Sequence, residues 1–324
     1  MPAYSNAAAV SRPEINVFLE QAREAEKGLI AEQVMGIFSS DSMTGKYPRY
    51  NIKKGGLLNV EDDTKRGPGG SYKRVGRSWE WDSYDCEDRG LEGEVDDTIQ
   101  AEMKKFFDVE VSEAKKVRRD VALSYEKRVA SLVMSSANSG FTAANSAVAY
   151  TEANIATIDL ARDVTAGKEY LEARGVNPED LTLVMSNTVF NRLRRSTKLL
   201  SYVFGNTNNM GNQKLSRQAV ADALEVKELL ICGRSYNGAK KGQDVSLSSI
   251  WGTTTVLLAN LASGEFSNGG IGRTIVWSGD ADGLYVTETY REEKIRSNIV
   301  RVRQNSTEKI IDTNEGYLIT TQWA

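Results

Sequence analysis

The chemistry open to this 324-residue chain is limited first by a missing residue type, because the sequence contains no histidine. Histidine is the only side chain whose unperturbed pKa lies between about 5 and 8. Without it, Ser-His-Asp and Cys-His nucleophiles cannot be assembled in their usual form. The two cysteines, Cys86 and Cys232, cannot by themselves supply the four ligands of a tetrahedral zinc site. Carboxylate pairs, Schiff-base lysines and oxygen-ligated metals remain.

One acidic cluster has the residue types that carboxylate chemistry requires. Paired carboxylates hydrolyse glycosides when they are held at a fixed separation across a pocket. Here the cluster lies between a predicted hairpin and the start of a predicted helix, and nothing around it indicates a pocket. Asp96 and Asp97 would favour that helix N-terminus electrostatically. We therefore favour a solvated or interface face for the cluster: Glu87, Asp88, Glu92, Glu94, Asp96 and Asp97.

Three glycine-containing motifs superficially suggest ligand sites, and each lacks a required part. Gly45-Lys46 has neither the earlier glycine nor the following Ser or Thr of a phosphate loop. Residues 269–272 lack dinucleotide-fingerprint spacing and a following helix. Residues 280–283 open like a calcium loop but run straight into an apolar strand, which favours a plain Asp-Gly hairpin turn. We predict no cofactor, no metal site and no enzymatic activity.

Charge and hydropathy restrict the partners. The formal net charge is −3, whereas a protein that grips DNA specifically carries a basic surface. No apolar run approaches the ~20 residues that span a bilayer, and the N-terminus has no basic region followed by an apolar block. These features predict a soluble, intracellular protein that does not enter a membrane. We expect both cysteines to be reduced and partly buried.

The one basic stripe lies on a long predicted helix. One interpretation is a solvated helix face with charge pairs, and we favour it. The other is a positive surface facing packaged DNA through weak, sequence-independent contacts. The residues that would face DNA are Lys115, Lys116, Arg118 and Arg119, within a set that also includes Lys104, Lys105, Lys127 and Arg128.

The elements that position these residues begin with an arm and a hairpin. The spacing of apolar residues predicts an amphipathic helix within residues 14–37, after a polar start. Residues 46–94 are rich in Gly, Lys, Arg, Asp and Tyr and centre on a Gly-Pro-Gly-Gly turn. The alternation around Trp79 and Trp81 predicts a strand. The segment therefore predicts a long hairpin, which needs a surface to lie on because isolated hairpins are marginally stable.

A single long helix is predicted next. Apolar residues keep three- and four-residue steps from Asp96 or Asp97 to about Met134, without an intervening proline. That is more than 35 residues, against a mean of about 11–12. Because charged residues interrupt every turn and no strict heptad holds, we favour a spine crossing a flat molecule over a coiled coil or a membrane span.

The rest of the chain predicts an α/β core followed by a β-rich third. Residues 135–150 are small and polar, which indicates a loop. A helix over 157–174, a buried strand at 181–185 and a helix capped by Ser186 follow. Beyond these, a short helix is predicted at 218–224. Strands are predicted at 228–232, 254–258, 273–277, 284–289, 300–303, 308–312 and 316–321.

This order of elements resembles the Johnson fold of tailed-bacteriophage and herpesvirus capsids, an α+β fold with N-arm, E-loop, spine helix, P-domain and A-domain. The resemblance covers nearly the whole chain, and the order and spacing of its motifs carry it. The motifs are Trp79–Gly90 with Asp96-Asp97, Leu183–Ser186 with Val189-Phe190, Ile250–Gly252, Ile271–Thr274 with Trp277, and Tyr290–Glu293.

The resemblance implies a major capsid protein made in the cytoplasm of a host bacterium and located in the virion capsid. Its copies would form pentamers and hexamers of an icosahedral shell around double-stranded DNA. A separate scaffold protein, a portal and a decoration protein are the other partners implied. The domains would be the N-arm (1–45), the E-loop (46–95), the spine helix and P-domain core (96–200), mostly A-domain (201–290), and C-terminal strands returning to the P-domain (291–324).

The E-loop would lie over an adjacent subunit. Some relatives cross-link an E-loop lysine to an asparagine of a neighbour; Lys65 and Lys73 lie in that region, but no asparagine can be paired with them from sequence. The residues that would make the inter-subunit contact are Lys65, Arg66, Lys73, Arg74, Trp79 and Trp81.

Two alternatives stay open. An encapsulin-like compartment would keep the fold and enclose cargo protein instead of DNA, with a groove for a cargo peptide. A carboxylate-dependent hydrolase would be a monomer or small oligomer with a deep pocket.

Overall fold

The structure is a computed structural model. It describes residues 10–11, 28–49, 64–72, 74, 80–103, 108–150, 152–205, 215–240, 242–279 and 283–321. The helices in these ranges are α1 (Ala31–Val34), α2 (Asp97–Met103), α3 (Val109–Val133), α4 (Ser136–Ser139), α5 (Leu160–Glu172), α6 (Asn187–Leu193), α7 (Thr197–Phe204) and α8 (Arg217–Ala223). No helix among them is both long enough and apolar enough to span a bilayer.

The strands in the same ranges are numbered in chain order. The first eight are β1 (Val10–Ser11), β2 (Ile37–Ser40), β3 (Thr44–Arg49), β4 (Glu80–Asp85), β5 (Glu87–Asp96), β6 (Thr142–Asn145), β7 (Leu181–Ser186) and β8 (Glu228–Cys232). The others are β9 (Ser235–Asn237), β10 (Leu247–Ser249), β11 (Thr255–Asn260), β12 (Gly272–Trp277), β13 (Val286–Glu292), β14 (Ser297–Ile310) and β15 (Gly316–Thr320).

A five-stranded sheet forms the centre of the core, in the order β6-β15-β11-β7-β8. Its side chains alternate between two apolar layers, as strand geometry requires. On β7, Leu183 and Met185 pack into the layer that holds α5, α6 and α8. Val184 points the other way, into the layer that holds Trp251 and the C-terminal half of α3. With both faces covered, β7 is buried at every residue, and this explains its continuous apolar sequence.

A six-stranded sheet is built around the long strand β14. Ser297 to Arg303 pair with β13 on one edge and with β5 on the other. Further along, Ser306 to Ile310 pair with β12, which in turn pairs in parallel with β2. The two-residue strand β1 pairs with β13. β14 is thus the central strand of this sheet, and it pairs directly with β5, β12 and β13.

Helix α3 connects the two sheets. Near its N-terminus, Ala114 packs on Val300, and Val117 and Val121 pack on Val302, all on the six-stranded sheet. Its C-terminal half packs against the five-stranded sheet. At ~1.5 Å per residue, its 25 residues extend about 37 Å. It therefore runs from one sheet to the other.

The prediction of one helix from Asp96 or Asp97 to Met134 is wrong, because α2 and α3 are separate helices. Asp108 has an extended backbone, and its carboxylate accepts hydrogen bonds from the amides of Glu110 and Val111. A side-chain cap of this kind begins a new helix. Apolar spacing cannot detect the break, because the three- and four-residue steps continue across it even though α2 buries none of its residues.

Three other sequence predictions need correction or fall partly outside the described residues. Residues 300–303 and 308–312 were predicted as two strands, but β14 is one strand of 14 residues. Residues 135–150 are not only a loop, because α4 and β6 lie within them. Most of the helix predicted within 14–37 lies outside the described residues, and its described part contains only the short α1 before β2 begins.

Candidate assembly surfaces

A two-stranded ribbon, β3 with β4, leaves the body beside the six-stranded sheet. The strands pair antiparallel from Thr44 opposite Asp85 to Arg49 opposite Glu80. Both strands lie almost entirely within residues 46–94, which the sequence predicted as a hairpin. The ribbon is the first candidate surface for contact with another subunit.

Two tyrosines fix the base of the ribbon to the body. The Tyr47 hydroxyl lies 3.2 Å from both the Asp82 carboxylate and the Ile310 carbonyl oxygen. Burial, followed by the charge of Asp82, raises the pKa of Tyr47 to about 12. The Tyr84 hydroxyl lies 2.7 Å from the Ser40 hydroxyl. Because both tyrosines are buried and hydrogen-bonded to residues of the body, the ribbon leaves the body in a fixed direction.

Cys86 lies between β4 and β5, and Cys232 is the last residue of β8. Both thiols are free and buried, whereas the sequence led us to expect reduced and partly buried cysteines. Burial raises the pKa of Cys86 to about 11 and that of Cys232 to about 12. A thiol that stays protonated is a weak nucleophile. Both cysteines are packing residues.

The outer part of the ribbon is exposed. The Trp81 side chain is 65% accessible. In the segment beyond, the Gly70 amide donates to the Gly67 carbonyl at 3.0 Å, with Pro68 and Gly69 at the central positions. Gly69 has φ +79°, so this turn requires a residue that tolerates the left-handed region. The predicted contact residues Lys65, Arg66, Arg74 and Trp81 are all exposed, whereas Lys73 and Trp79 lie outside the described residues.

The six-stranded sheet carries an ion-pair network on the face away from α3. Arg301 lies 2.7 Å from Glu92 on β5 and 3.7 Å from Glu288 on β13. Arg303 lies 2.8 Å from Glu288. A shared network of this kind is worth more than isolated surface pairs. It fixes β5, β14 and β13 in register across the sheet.

The acidic cluster that the sequence singled out is spread along β5 and does not line a pocket. At the end of the cluster, the Asp97 carboxylate accepts hydrogen bonds from the two terminal guanidinium nitrogens of Arg291, at 2.6 and 2.7 Å. These hydrogen bonds hold the pKa of Asp97 below its usual value. The Thr98 amide likewise lowers the pKa of Asp96. Both carboxylates stay ionised and unsuited to act as general acids near neutral pH.

The basic residues of α3 do not share one face. Lys115, Lys116 and Arg119 are exposed, but Arg118 is only 7% accessible, and its guanidinium lies 5.2 Å from the centroid of the Tyr285 ring. The prediction that Arg118 faces DNA is therefore wrong: position 118 lies on the buried side of the helix, next to Val117 and Val121. The other three residues remain candidates.

The site that sequence analysis missed is a buried carboxylate on α3. Glu126 is 1% accessible and accepts hydrogen bonds from the amides of Ile30 and Ala31, each at 2.9 Å, and from the Trp251 indole. Burial raises the pKa of Glu126 despite these donors. The spacing of residues could have indicated this burial, since Glu126 lies one turn from Ala122 and Ala130 on the apolar face of the helix.

A second buried polar group holds the loop between β11 and β12. The Arg273 side chain is completely buried and donates to four backbone carbonyls, those of Gly264, Glu265, Gly269 and Gly272, at 2.6–3.2 Å. Glu315 accepts from the Gly270 amide at 2.5 Å. Burial, followed by the charge of Asp312, raises the pKa of Glu315 to about 7.

Within the described residues, no group of three or more Asp, Glu or Cys side chains is placed to hold a metal ion. Two small surface cavities, of about 210 and 200 Å³, flank α3 and α5. The first cavity lies beside Glu126, whose carboxylate already accepts hydrogen bonds from the amides of Ile30 and Ala31 and from the Trp251 indole.

Comparison with known proteins agrees with this architecture. No protein-family profile matches the chain, and no curated protein sequence matches it. Among solved structures, a phage-related protein from Bordetella bronchiseptica RB50 is similar, with a TM-score of 0.70 and 19% identity over 97% of this chain and 98% of that one. The capsid of cyanophage P-SCSP1u aligns with a TM-score of 0.56 and 10% identity, over 99% and 92% of the two chains. The chain has the fold of phage capsid proteins.

A virus-like particle from Pyrococcus furiosus shares this capsid fold as well. Its TM-score is 0.55, with 8% identity over 95% of this chain and 98% of that one. The resemblance inferred from the sequence is confirmed at the level of the capsid fold. At these identities the likeness carries the fold, and the role of the chain has to be argued from its own surfaces.

Proposed function

We propose that the chain is the major capsid protein of a tailed bacteriophage, a structural subunit without enzymatic activity. Its copies associate as pentamers and hexamers into an icosahedral shell around double-stranded DNA, and its place is the virion capsid. The observation that carries this proposal is the end-to-end match of the whole chain to a phage-related protein and to a phage capsid.

The exposed ribbon supports the proposal on physical grounds. A two-stranded ribbon is marginally stable in water by itself, and Trp81, which is 65% accessible, offers a large apolar side chain that a second copy would bury. Both features become favourable when a second copy covers them. Repeated copies of one chain form closed assemblies through complementary patches of this kind.

The proposed domains follow the order of the elements. Residues 1–45 serve as the N-arm, 46–95 as the E-loop, 96–200 as the spine helix and P-domain core, 201–290 mostly as the A-domain, and 291–324 as the strands returning to the P-domain. The inner surface would contact DNA weakly through Lys115, Lys116 and Arg119, which are exposed on α3. A separate scaffold protein, a portal and a decoration protein complete the proposed set of partners, with assembly in the cytoplasm of a host bacterium.

The test is the assembly state of the purified full chain, by size-exclusion chromatography and negative-stain electron microscopy, with and without a co-expressed candidate scaffold. Discrete pentamers, hexamers or closed shells are the expected result. Trp81→Ser should reduce the yield of shells while leaving the fold intact. The matched control is Tyr202→Ser on α7, which removes an aromatic side chain that is 55% accessible. A monomer under every condition would overturn the proposal.

A second function keeps the shell and changes its contents. The chain also shares its fold with a virus-like particle from Pyrococcus furiosus, and the second candidate is an encapsulin-like compartment that encloses protein. The discriminating measurement is the absorbance ratio at the nucleic-acid and protein maxima, with gel analysis of the particle contents. Packaged DNA supports the phage capsid, and a stoichiometric cargo protein supports the compartment.

A further inference from the structure

The middle of strand β14 presents polar side chains to helix α3. Strand alternation puts Gln304 and Ser306 on the same face as Val302, which packs on α3. The next residue on this face, Glu308, forms an ion pair with Arg128 of α3 at 3.1 Å. Because β14 contacts α3 on both sides of Gln304 and Ser306, these two residues lie beneath the helix.

Both side chains are buried without hydrogen-bond partners. Gln304 is completely buried, and Ser306 is 1% accessible. In the described part of the chain, no partner contacts the amide nitrogen or the amide oxygen of Gln304, or the hydroxyl of Ser306. Exchanging the two amide atoms by a flip of the side chain does not change this, because both atoms are unpaired. The subunit therefore buries three polar atoms whose hydrogen bonds are not made by the protein.

Polar atoms of this kind are expensive to bury dry. Leaving one without a partner reduces the equilibrium constant for folding by roughly 5- to 150-fold. A carboxamide has two donor hydrogens and two acceptor lone pairs, and a hydroxyl has one donor hydrogen and two acceptor lone pairs. Folded proteins satisfy such groups with internal water, which makes about three hydrogen bonds to polar atoms that have no other partner.

A polar border connects these atoms with the surface. Arg89 of β5 lies directly opposite Gln304. Its guanidinium lies 3.8 Å from Glu308, on the same face of the sheet. The side chains of Arg89 and Arg128 are 35% and 22% accessible. Charged groups that are partly exposed thus lie next to the buried polar atoms, and they give water a polar path into the interface.

We propose that Gln304 and Ser306 form an internal water site between α3 and β14. Water suits the site because it donates and accepts hydrogen bonds, and the amide and the hydroxyl offer both kinds of group. The site also fixes the position of α3 along β14, since a shift by one turn would place apolar residues such as Val121 over the hydrated groups. The site lies within one subunit, so the inference goes beyond the proposed function and does not depend on assembly.

An experimental structure of the subunit, at a resolution that shows ordered water, is the direct test. We expect density for water at about 2.7–3.2 Å from the Gln304 amide and from the Ser306 hydroxyl. Ordered side chains without such density, or side chains that bond directly to protein atoms instead, would overturn the proposal.

Urea unfolding of the subunit, followed by circular dichroism, gives an independent measurement. Gln304→Leu keeps the approximate size of the side chain but removes the amide, so the water loses a partner and the Ser306 hydroxyl is left unpaired. The equilibrium constant for folding should fall about fivefold or more. Adding Ser306→Ala should recover part of this loss, because the remaining polar group is then removed as well.

The matched control is Thr307→Val, a substitution of similar shape on the opposite face of β14, and it should leave the unfolding midpoint nearly unchanged. Equal or higher stability of Gln304→Leu relative to the wild type would overturn the proposal, because removing a dry, unpaired amide is favourable. The assembly state of the chain has no part in either measurement, so failure of the water site leaves the proposed function standing.

Discussion

The carboxylate of Glu126 lies 2.5 Å from the indole Nε1 of Trp251, and both side chains are buried. The contact joins the middle of α3 to the segment that leads into β11. Because the same carboxylate accepts the amides of Ile30 and Ala31, one side chain connects three parts of the chain that are far apart in sequence. It fixes the start of α1 against α3.

We expect Glu126→Ala to destabilise the subunit by about 3–5 kcal/mol, since it leaves three buried donors without an acceptor. Trp251→Phe removes one of those donors and should cost less. A double-mutant cycle with both substitutions, measured by urea unfolding followed by circular dichroism, should give a coupling energy of about 1–3 kcal/mol. Strictly additive losses would show that the indole contact contributes nothing.

Gly93→Ala should destabilise the subunit because the close approach of β5 to α3 leaves no room for a Cβ. The added atom would lie within 2.6 Å of the Glu113 side chain. Overpacking of this kind costs about 1–3 kcal/mol. Gly70→Ala is the control, because only backbone atoms of Gly67 lie near its Cβ position, at 3.4 Å or more. An equal effect of the two substitutions on thermal unfolding would contradict the packing argument.

Asp108→Ala should destabilise the subunit by about 1 kcal/mol, because it removes the cap of α3. Asp120→Ala is the matched control: Asp120 lies inside the same helix, is exposed, and should change stability by less than about 0.5 kcal/mol. Equal stability of wild type and Asp108→Ala in urea would indicate that the helix does not begin at this residue.

Glu315 should make the subunit less stable as the pH rises from about 4.5 to about 7. Its pKa is raised from 4.5 to about 7 in the folded protein, so the folded state binds the proton more tightly than the unfolded chain between these values. Stability must then fall with rising pH through that window and level off above it. In Glu315→Gln the fall should be smaller. Parallel stability curves for the two proteins, from urea unfolding across the window, would contradict the assignment.

The sequence was sufficient to predict those elements whose local capping and apolar patterns agree with their burial in the fold. The strand 228–232 has the predicted bounds, and the helix after Ser186 begins at the predicted cap, whose hydroxyl accepts the Val189 amide. The order of elements was also sufficient to indicate the capsid fold.

The remaining features depend on tertiary packing that periodicity does not encode. Asp108 interrupts an apolar pattern that continues on both sides of it. The polar residues between Arg303 and Glu308 look like a turn, but they stay extended because β5 and β12 pair with them. Arg118 is indistinguishable by type from Arg119, and only the docking of α3 on the sheet shows that one is buried and the other exposed.

The proposed function requires that this chain build a closed shell from copies of itself. Electron cryomicroscopy of particles purified after expression of the full chain with a candidate scaffold tests it most directly. We predict an icosahedral reconstruction in which each ribbon, with Trp81, lies on an adjacent subunit. A reconstruction without subunit contacts at the ribbon, or a chain that remains monomeric at every concentration and with every scaffold, would contradict the account.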